Sequence, residues 1–265
     1  VNQVGKFNTI RVSCYFVELY NDHLVDLLLN LKDKKAKPTK LDIKVDQRKQ
    51  VYVKGAVELT VSSAEELQNL FDRANQNRHV SSTAMNSESS RSHSIFSVKV
   101  ENLNRSTKKT TYGKLSLIDL AGSERAKKTK ATGDTAKEGT NINKSLTALG
   151  NVISALTKGE KFVPYRENKL TMLMQDSLGG NAKTLMFVNF SPADYNAEET
   201  NGSLGYATRV KNIKNNAVVG SDSRETARLK AQIESLEEQL AEFKSDKGME
   251  AAASSDRNGR GKDGE

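Results

Sequence analysis

Alternating apolar and polar positions along the first half of the chain predict β-strands. The longest such run, residues 9–20 (TIRVSCYFVELY), carries apolar side chains on both faces, so we expect a central strand that is covered on both sides. Shorter runs at residues 41–45, 51–53 and 95–100 predict further strands. Residues 111–120 contain the apolar run LSLIDL, which is typical of a buried strand that ends in a turn.

Apolar spacings of three and four residues predict helices between and after these strands. A first helix begins with serine caps and acidic residues at 62–66 and is expected to run to about Asn77. Further elements are predicted in the second half of the chain, namely helices at residues 141–156, 165–178 and 198–213, and a buried strand at residues 184–190. This alternation indicates an α/β fold, with helices on both faces of a central, mostly parallel-type β-sheet.

The sequence changes in character after residue 217. Residues 224–244 carry large apolar side chains at spacings of four and three, which predicts a short coiled coil, with a single amphipathic helix docked on the preceding domain as the alternative. Residues 251–265 offer no core-forming side chain except alanine. The expected organisation is a main domain at 1–217, a neck or docked helix at 218–245, and a disordered tail at 246–265.

Composition narrows the class of protein. The 265 residues include 41 Lys and Arg against 33 Asp and Glu, a net charge of +8, which suggests an anionic partner such as nucleic acid, an acidic membrane or an acidic protein surface. Cys14 is the only cysteine, which excludes an internal disulfide and fits a reducing compartment. No apolar run is long enough to span a membrane. The chain begins with Val1 rather than Met, which suggests a fragment or an incomplete gene model.

Asp119 and Gly122 are the first candidates for chemistry. Asp119 ends a predicted buried strand, where a carboxylate is costly unless it faces a cation, and open α/β sheets bind ligands at that end of a strand. Gly122 lacks a Cβ, so the backbone there can pass close to a phosphate group. Taken alone, the pattern D-x-x-G also fits a strand that ends in a turn with a solvated aspartate.

A second candidate segment, residues 86–93 (NSESSRSH), precedes this strand. Its hydroxyls suit Mg²⁺, its asparagine suits phosphate oxygens, and its arginine can pair with a carboxylate, although a flexible serine-rich loop has the same composition. NxxSSRSH followed by DLAGSE resembles the switch I and switch II pair of kinesin motor domains. Residues 141–156, 163–184 and 191–194 match the same family in the same order, and the resemblance runs from about Thr9 to Asn216.

The resemblance implies a microtubule motor that hydrolyses ATP with Mg²⁺, located in the cytoplasm on the cytoskeleton. Such sites work by positioning and by neutralising charge on the phosphates. By this resemblance, Ser90 would bind Mg²⁺ and Asp119 would hold it through water. Asn86 and the Gly122 N–H would contact phosphate, and Ser89 would orient the attacking water. Arg91 and Glu124 would form an ion pair that closes the site.

The resemblance also implies a filament-binding surface. Tubulin is strongly acidic, so exposed basic side chains would steer and hold it. The residues that would face the microtubule are Lys127, Lys128, Lys130, Lys144, Arg166 and Lys169. Nucleic acid could accept the same charges, but no nucleic-acid-binding motif accompanies them, so we do not expect it as a partner.

Within the family the chain looks most like the calmodulin-binding kinesin-14 group of plants and protists, which moves toward the microtubule minus end. Residues 224–244 depart from that group, because they mix acidic with basic residues and contain no tryptophan, which argues against calmodulin binding. The same residues are the candidate for dimerisation.

The phosphate loop GxxxxGK[ST] that kinesins require is absent from these 265 residues. Either it lies upstream of Val1 or the gene has lost it. The main hypothesis is therefore an ATP-driven motor, and the alternative is a nucleotide-free microtubule-binding protein derived from one.

Overall fold

The computed structural model describes residues 7–29, 39–80, 91–123, 134–215, 217 and 220–222, together with helical residues at 229, 232–233 and 236. The chain forms two compact units. The larger unit contains Ile10–Glu101 and Tyr112–Gly220, and the smaller one contains Val4–Thr9, Asn102–Thr111 and Ser221–Glu265. In the part of the chain that is described, no helix has the length and apolar character needed to cross a membrane.

Eight strands are described. They are β1 (Asn8–Tyr20), β2 (His23–Asp26), β3 (Asp42–Val45), β4 (Val51–Lys54), β5 (Leu59–Val61), β6 (Ser92–Asn104), β7 (Thr110–Asp119) and β8 (Gly220–Asp222). The main sheet contains the order β2-β1-β6-β7, and β5 also pairs with β1. Strands β3 and β4 form a separate two-stranded sheet.

The described helices are α1 (Ala64–Val80), α2 (Asp134–Lys158), α3 (Lys169–Leu173) and α4 (Ala197–Lys211), with 3₁₀ turns at Tyr165–Glu167 and Asp194–Asn196. The predicted start of α1 is confirmed by a reciprocal cap. The Ser63 hydroxyl accepts a hydrogen bond from the Glu66 N–H at 3.0 Å, and the Glu66 carboxylate accepts one from the Ser62 N–H at 2.7 Å.

The expected α/β class is confirmed, but the strand directions differ from the expected mostly parallel arrangement. Strand β1 runs antiparallel to both β2 and β5, and β3 runs antiparallel to β4. Strands β6 and β7 follow one another through a short turn at residues 105–109. Parallel neighbours need a crossover of about a dozen residues or more, and the turn between β6 and β7 is too short for one.

Apolar side chains pack on both faces of β1, as its sequence predicts. Cys14 and Phe16 lie in one cluster, where Phe16 stacks on Phe71 of α1 at 5.5 Å between ring centroids. Val17 lies on the other face with Ile153 of α2. Helices therefore cover both sides of the sheet at its centre.

The predicted helix at 165–178 is interrupted in the structure. Asn168 adopts an extended conformation (φ −147°), which ends the 3₁₀ turn, and its side chain caps α3 by accepting from the Leu170 N–H. Residues 174–177 continue as turns. The apolar spacing was read correctly, since Leu170 and Leu173 are buried, but spacing does not reveal an internal cap.

Two predictions of burial are wrong. Residues 184–190 form no strand, and Phe187 is 80% exposed. On β7 the alternation is real, yet Leu115 and Leu117 are 57% and 53% exposed. Apolar runs predict that a segment is covered, and among the described residues nothing covers Phe187 or the pair Leu115 and Leu117.

The aromatic cluster gives a test of the core. Phe16→Ala should lower the free energy of unfolding by about 3–5 kcal/mol, because the cavity cannot collapse between Phe71 and Phe96. Phe162→Ala is the matched control, since Phe162 is 77% exposed and should change stability by about 0.5 kcal/mol or less. Urea unfolding measures both, and equal effects would contradict the placement of Phe16 in the core.

Candidate functional site

Strands β6 and β7 are neighbours in the main sheet and meet at one edge of it. Strand β6 begins at Ser92, within the serine-rich segment 86–93, and β7 ends at Asp119. Arg78, from the last turns of α1, lies between them with its side chain 6% exposed. Its guanidinium reaches Asp119 Oδ2 at 3.1 Å, the Ser92 hydroxyl at 3.1 Å and the Ser94 hydroxyl at 3.3 Å.

Two carboxylates neutralise this buried arginine. Its Nε donates to Glu18 Oε1 of β1 at 3.2 Å, and the Glu18 side chain is itself only 8% exposed. The same Glu18 oxygen accepts a hydrogen bond from the Ser92 hydroxyl at 2.6 Å. A buried charge is tolerated only when it is paired and hydrogen-bonded, so this network fixes β1, β6 and β7 relative to α1.

His93 makes a second connection at the same edge. Its Nδ1 accepts a hydrogen bond from the Ala121 N–H at 3.0 Å, and its Nε2 lies 2.8 Å from the Ser145 hydroxyl on α2. Burial lowers the pKa of His93 to about 4, with the nearby Asp119 opposing this shift and Arg78 adding to it. The imidazole is therefore neutral at physiological pH.

The structure places only part of the predicted site. Arg91, Asp119 and Gly122 lie at this edge, where β6 begins and β7 ends. Seven predicted residues lie outside the described residues, namely Asn86, Ser89, Ser90, Glu124, Lys127, Lys128 and Lys130. The Arg91–Glu124 ion pair and the roles of the serines therefore stay predictions.

The residues that are described fit a nucleotide with Mg²⁺. The Asp119 side chain is 66% exposed, and a carboxylate oxygen is a hard ligand of the kind that binds Mg²⁺ or its water shell. Arg78 holds the other end of the Asp119 carboxylate and orients it. Gly122 is half-buried, and its backbone has no Cβ to keep a phosphate away.

The predicted filament-facing residues differ in how accessible they are. Lys144 on α2 and Arg166 on the 3₁₀ turn are exposed. Lys169 is less available, because its ammonium group donates to the Asp22 carbonyl at 2.5 Å and lies 3.8 Å from the Asp22 carboxylate. Lys169 thus contributes to holding the turn between β1 and β2.

A large groove opens beside the site. It has a volume of about 2190 Å³ and lies between β7, α2, α4 and residues 183–189. Its wall includes the exposed Leu115 and Leu117 and continues to Asp119 and Gly122. The lining of the groove is mixed, with Lys114, Asp176 and Arg209 beside the two leucines.

Sequence reasoning missed Arg78, Glu18, His93 and Ser145. Glu18 offered a signal, since it is a carboxylate within the apolar run YFVELY and therefore needs a buried partner. The partner could not be identified, because Arg78 is distant along the chain and looks like an ordinary charge at the end of a helix. Nothing in the local sequence marks Ser145 as a partner of His93.

The buried arginine can be tested by double substitution. Arg78→Met should lower the free energy of unfolding by about 3–5 kcal/mol, since it leaves Glu18 buried without its counter-charge. Adding Glu18→Gln should recover part of that loss, because the unpaired charge disappears. Chemical denaturation measures both variants, and a double variant no more stable than Arg78→Met would contradict the pairing.

Comparison with known proteins places this geometry in a family. The family model of the kinesin motor domain matches residues 2–213 of the chain. The chain is 51% identical to the kinesin-like protein KIN-14E of Arabidopsis thaliana, 47% to KIN-14I of Oryza sativa and 45% to the chromosome-associated kinesin KIF4 of Mus musculus. These alignments cover 87%, 94% and 89% of the chain but only 18%, 20% and 19% of the relatives.

A solved structure described as a fast kinesin, with implications for ATPase mechanism and interactions with microtubules, superposes with a TM-score of 0.72 at 42% identity. The match covers 83% of this chain and 60% of that one. The resemblance to kinesin-14 proteins is confirmed by the two plant relatives. The chain belongs to the kinesin motor-domain family.

Proposed function

We propose that this chain supplies the nucleotide-sensing and filament-binding part of an ATP-driven microtubule motor that moves toward the minus end. The observation that carries the proposal is the meeting of β6 and β7 at one edge, where Arg78 binds both Ser92 and Asp119. The direction is the one that the resemblance to kinesin-14 proteins implies. An acidic tubulin surface suits the exposed Lys144 and Arg166.

The proposed chemistry is phosphoryl transfer to water. Bound Mg²⁺ and ATP would supply charge neutralisation and the transferable phosphate. Asp119 and Ser90 are the residues that would hold the metal, with Asp119 acting through water. Asn86 and the Gly122 N–H would contact phosphate, and Ser89 would orient the attacking water. Arg91 and Glu124 would pair to exclude solvent, and separation of that pair would release the segment that leads into α2.

We further propose that a segment outside these 265 residues fills the groove. The phosphate loop belongs to a strand–loop–helix unit, and the relatives are about five times longer than this chain. Such a unit would cover Leu115 and Leu117 and would bring the loop to Asp119 and Gly122. Burying these two leucines would contribute roughly 1.5–3 kcal/mol, since half-exposed side chains gain about half of the full burial energy.

The C-terminal segment suits dimerisation. Leu229, Ile233 and Leu236 lie in helical residues and are 54%, 55% and 59% exposed, so they could form the apolar stripe of a coiled coil. We do not propose calmodulin as a partner, because the segment mixes acidic and basic residues. The cytoskeleton is the location that follows from a microtubule partner.

A nucleotide-free microtubule-binding protein is the second candidate function. It is the function expected if the whole protein, like these residues, contains no phosphate-loop motif. It predicts that filament affinity does not depend on nucleotide, whereas the motor predicts strong dependence. The ATPase experiment below separates the two.

The 265-residue chain alone should show no microtubule-stimulated ATPase, because the phosphate cradle is missing. The intact protein should show it, and Gly122→Ala should lower its turnover roughly 100-fold, which corresponds to ~3 kcal/mol of lost transition-state contact. Glu124→Ala should have a similar effect. Turnover with and without microtubules measures this, with co-sedimentation as the control for filament binding.

Stimulated turnover by the isolated chain would contradict the need for an added phosphate loop. An intact protein that binds microtubules with equal affinity in every nucleotide state, and hydrolyses no ATP, would favour the second candidate. Near-normal turnover in Gly122→Ala would show that this backbone does not contact phosphate.

The groove gives an independent prediction. Leu117→Lys should change the unfolding free energy of the isolated chain by about 0.5 kcal/mol or less, since Leu117 is 53% exposed. In the intact protein the same change should cost about 3 kcal/mol or more, because it would bury an unpaired charge. Val45→Lys, at a residue that is 47% exposed on β3, is the matched control and should be mild in both. Equal effects of Leu117→Lys in the two proteins would show that nothing fills the groove.

A further inference from the structure

His93 lies at the centre of a chain of hydrogen bonds that joins three elements. The Ala121 N–H, beyond the end of β7, donates to His93 Nδ1 at 3.0 Å. His93, near the start of β6, reaches the Ser145 hydroxyl at 2.8 Å through Nε2. Ser145 in turn donates to the Ile142 carbonyl at 2.7 Å within α2. The side chains of His93 and Ser145 are buried, in residues 3% and 5% exposed.

The groups at the two ends of this series of hydrogen bonds determine which atom donates in each bond. A backbone N–H can only donate, so Nδ1 must accept and the imidazole proton must lie on Nε2. Because the Ser145 proton is used on a backbone carbonyl, the Ser145 oxygen accepts from Nε2. Each bond therefore fixes the direction of the next one.

The two ends of this series of hydrogen bonds lie beside residues with different proposed roles. Ala121 precedes Gly122, whose N–H is the proposed phosphate contact. Ser145 follows Lys144, which is exposed on α2 and is proposed to meet the filament. A shift of the Ala121 backbone would break the bond to Nδ1 or move the imidazole with it, and the imidazole contacts α2 directly.

We propose that His93 is a positioning residue that couples the backbone at Ala121–Gly122 to helix α2 through Ser145, so that the nucleotide state changes filament affinity. This inference rests on the proposed motor function. The neutral imidazole that it requires agrees with the burial of His93. The charged groups near the ring, Asp119 and Arg78, are bonded to each other and leave the ring nitrogens to Ala121 and Ser145.

The test uses the intact protein with three variants. His93→Asn can keep an acceptor near the position of Nδ1 but is too short to place a donor at the position of Nε2, and Ser145→Ala removes the same link from the other side. The double variant tests whether the two changes act on one bond. Ser97→Ala is the matched control, because Ser97 is equally buried and bonds to Ser116 at 3.1 Å, away from this chain.

The measurement is the ratio of microtubule affinities with a non-hydrolysable ATP analogue and with ADP, alongside urea unfolding. We expect His93→Asn and Ser145→Ala each to reduce this ratio about fivefold, the double variant to do no more than either, and Ser97→Ala to leave it unchanged. A purely structural role would lower stability without moving the ratio.

A ratio that stays at the unsubstituted value in folded His93→Asn and Ser145→Ala proteins would overturn the coupling, while the motor function stands. If His93→Asn does not fold, Ser145→Ala decides the question by itself. An unsubstituted protein with no nucleotide-dependent affinity would instead overturn the proposed function, and the coupling with it.

Discussion

The buried guanidinium of Arg78 is the constraint on which the rest of the site depends. It binds Glu18 on β1, Ser92 and Ser94 on β6, and Asp119 at the end of β7. A planar group with several donors satisfies these acceptors at once, which a lysine could not do. Because removing Arg78 or Glu18 would leave the other charge buried and because Arg78 also binds Asp119, the positions of the strands and the orientation of the Asp119 carboxylate are set together.

Strand β7, in contrast, leaves large apolar side chains exposed. Its outer face exposes Leu115 and Leu117, and residues 184–190 expose Leu185 and Phe187 instead of pairing as a strand. Each of these segments is apolar enough to belong in a core, and the segment proposed to fill the groove would supply the contacts that the described residues do not. Both wrong predictions of burial have this form, since a sequence pattern states what a segment is suited to contact but not whether that contact is present.

Local patterns predicted what depends on neighbouring residues. The two covered faces of β1, the cap at Ser63 and the inward side of α2 follow from period and capping chemistry, and the structure confirms them. The direction of the strands could not be predicted from the sequence. Alternation determines which face of the sheet a side chain lies on, and it looks the same in parallel and antiparallel pairs. The contacts of Arg78 and His93 join residues far apart along the chain, so family resemblance found the segments around them but not the links themselves.

The two links at this edge differ in what it costs to break them. Separating Arg78 from Glu18 would leave both charges buried and unpaired, which costs about 3–5 kcal/mol of free energy. A neutral hydrogen bond such as that between His93 and Ser145 contributes about 1 kcal/mol net, which the contacts of a bound phosphate can match. A conformational change driven by nucleotide would therefore leave the Arg78 network intact and act through the weaker link. Arg78 therefore holds the strands in place, and the hydrogen bond between His93 and Ser145 is the contact that can change.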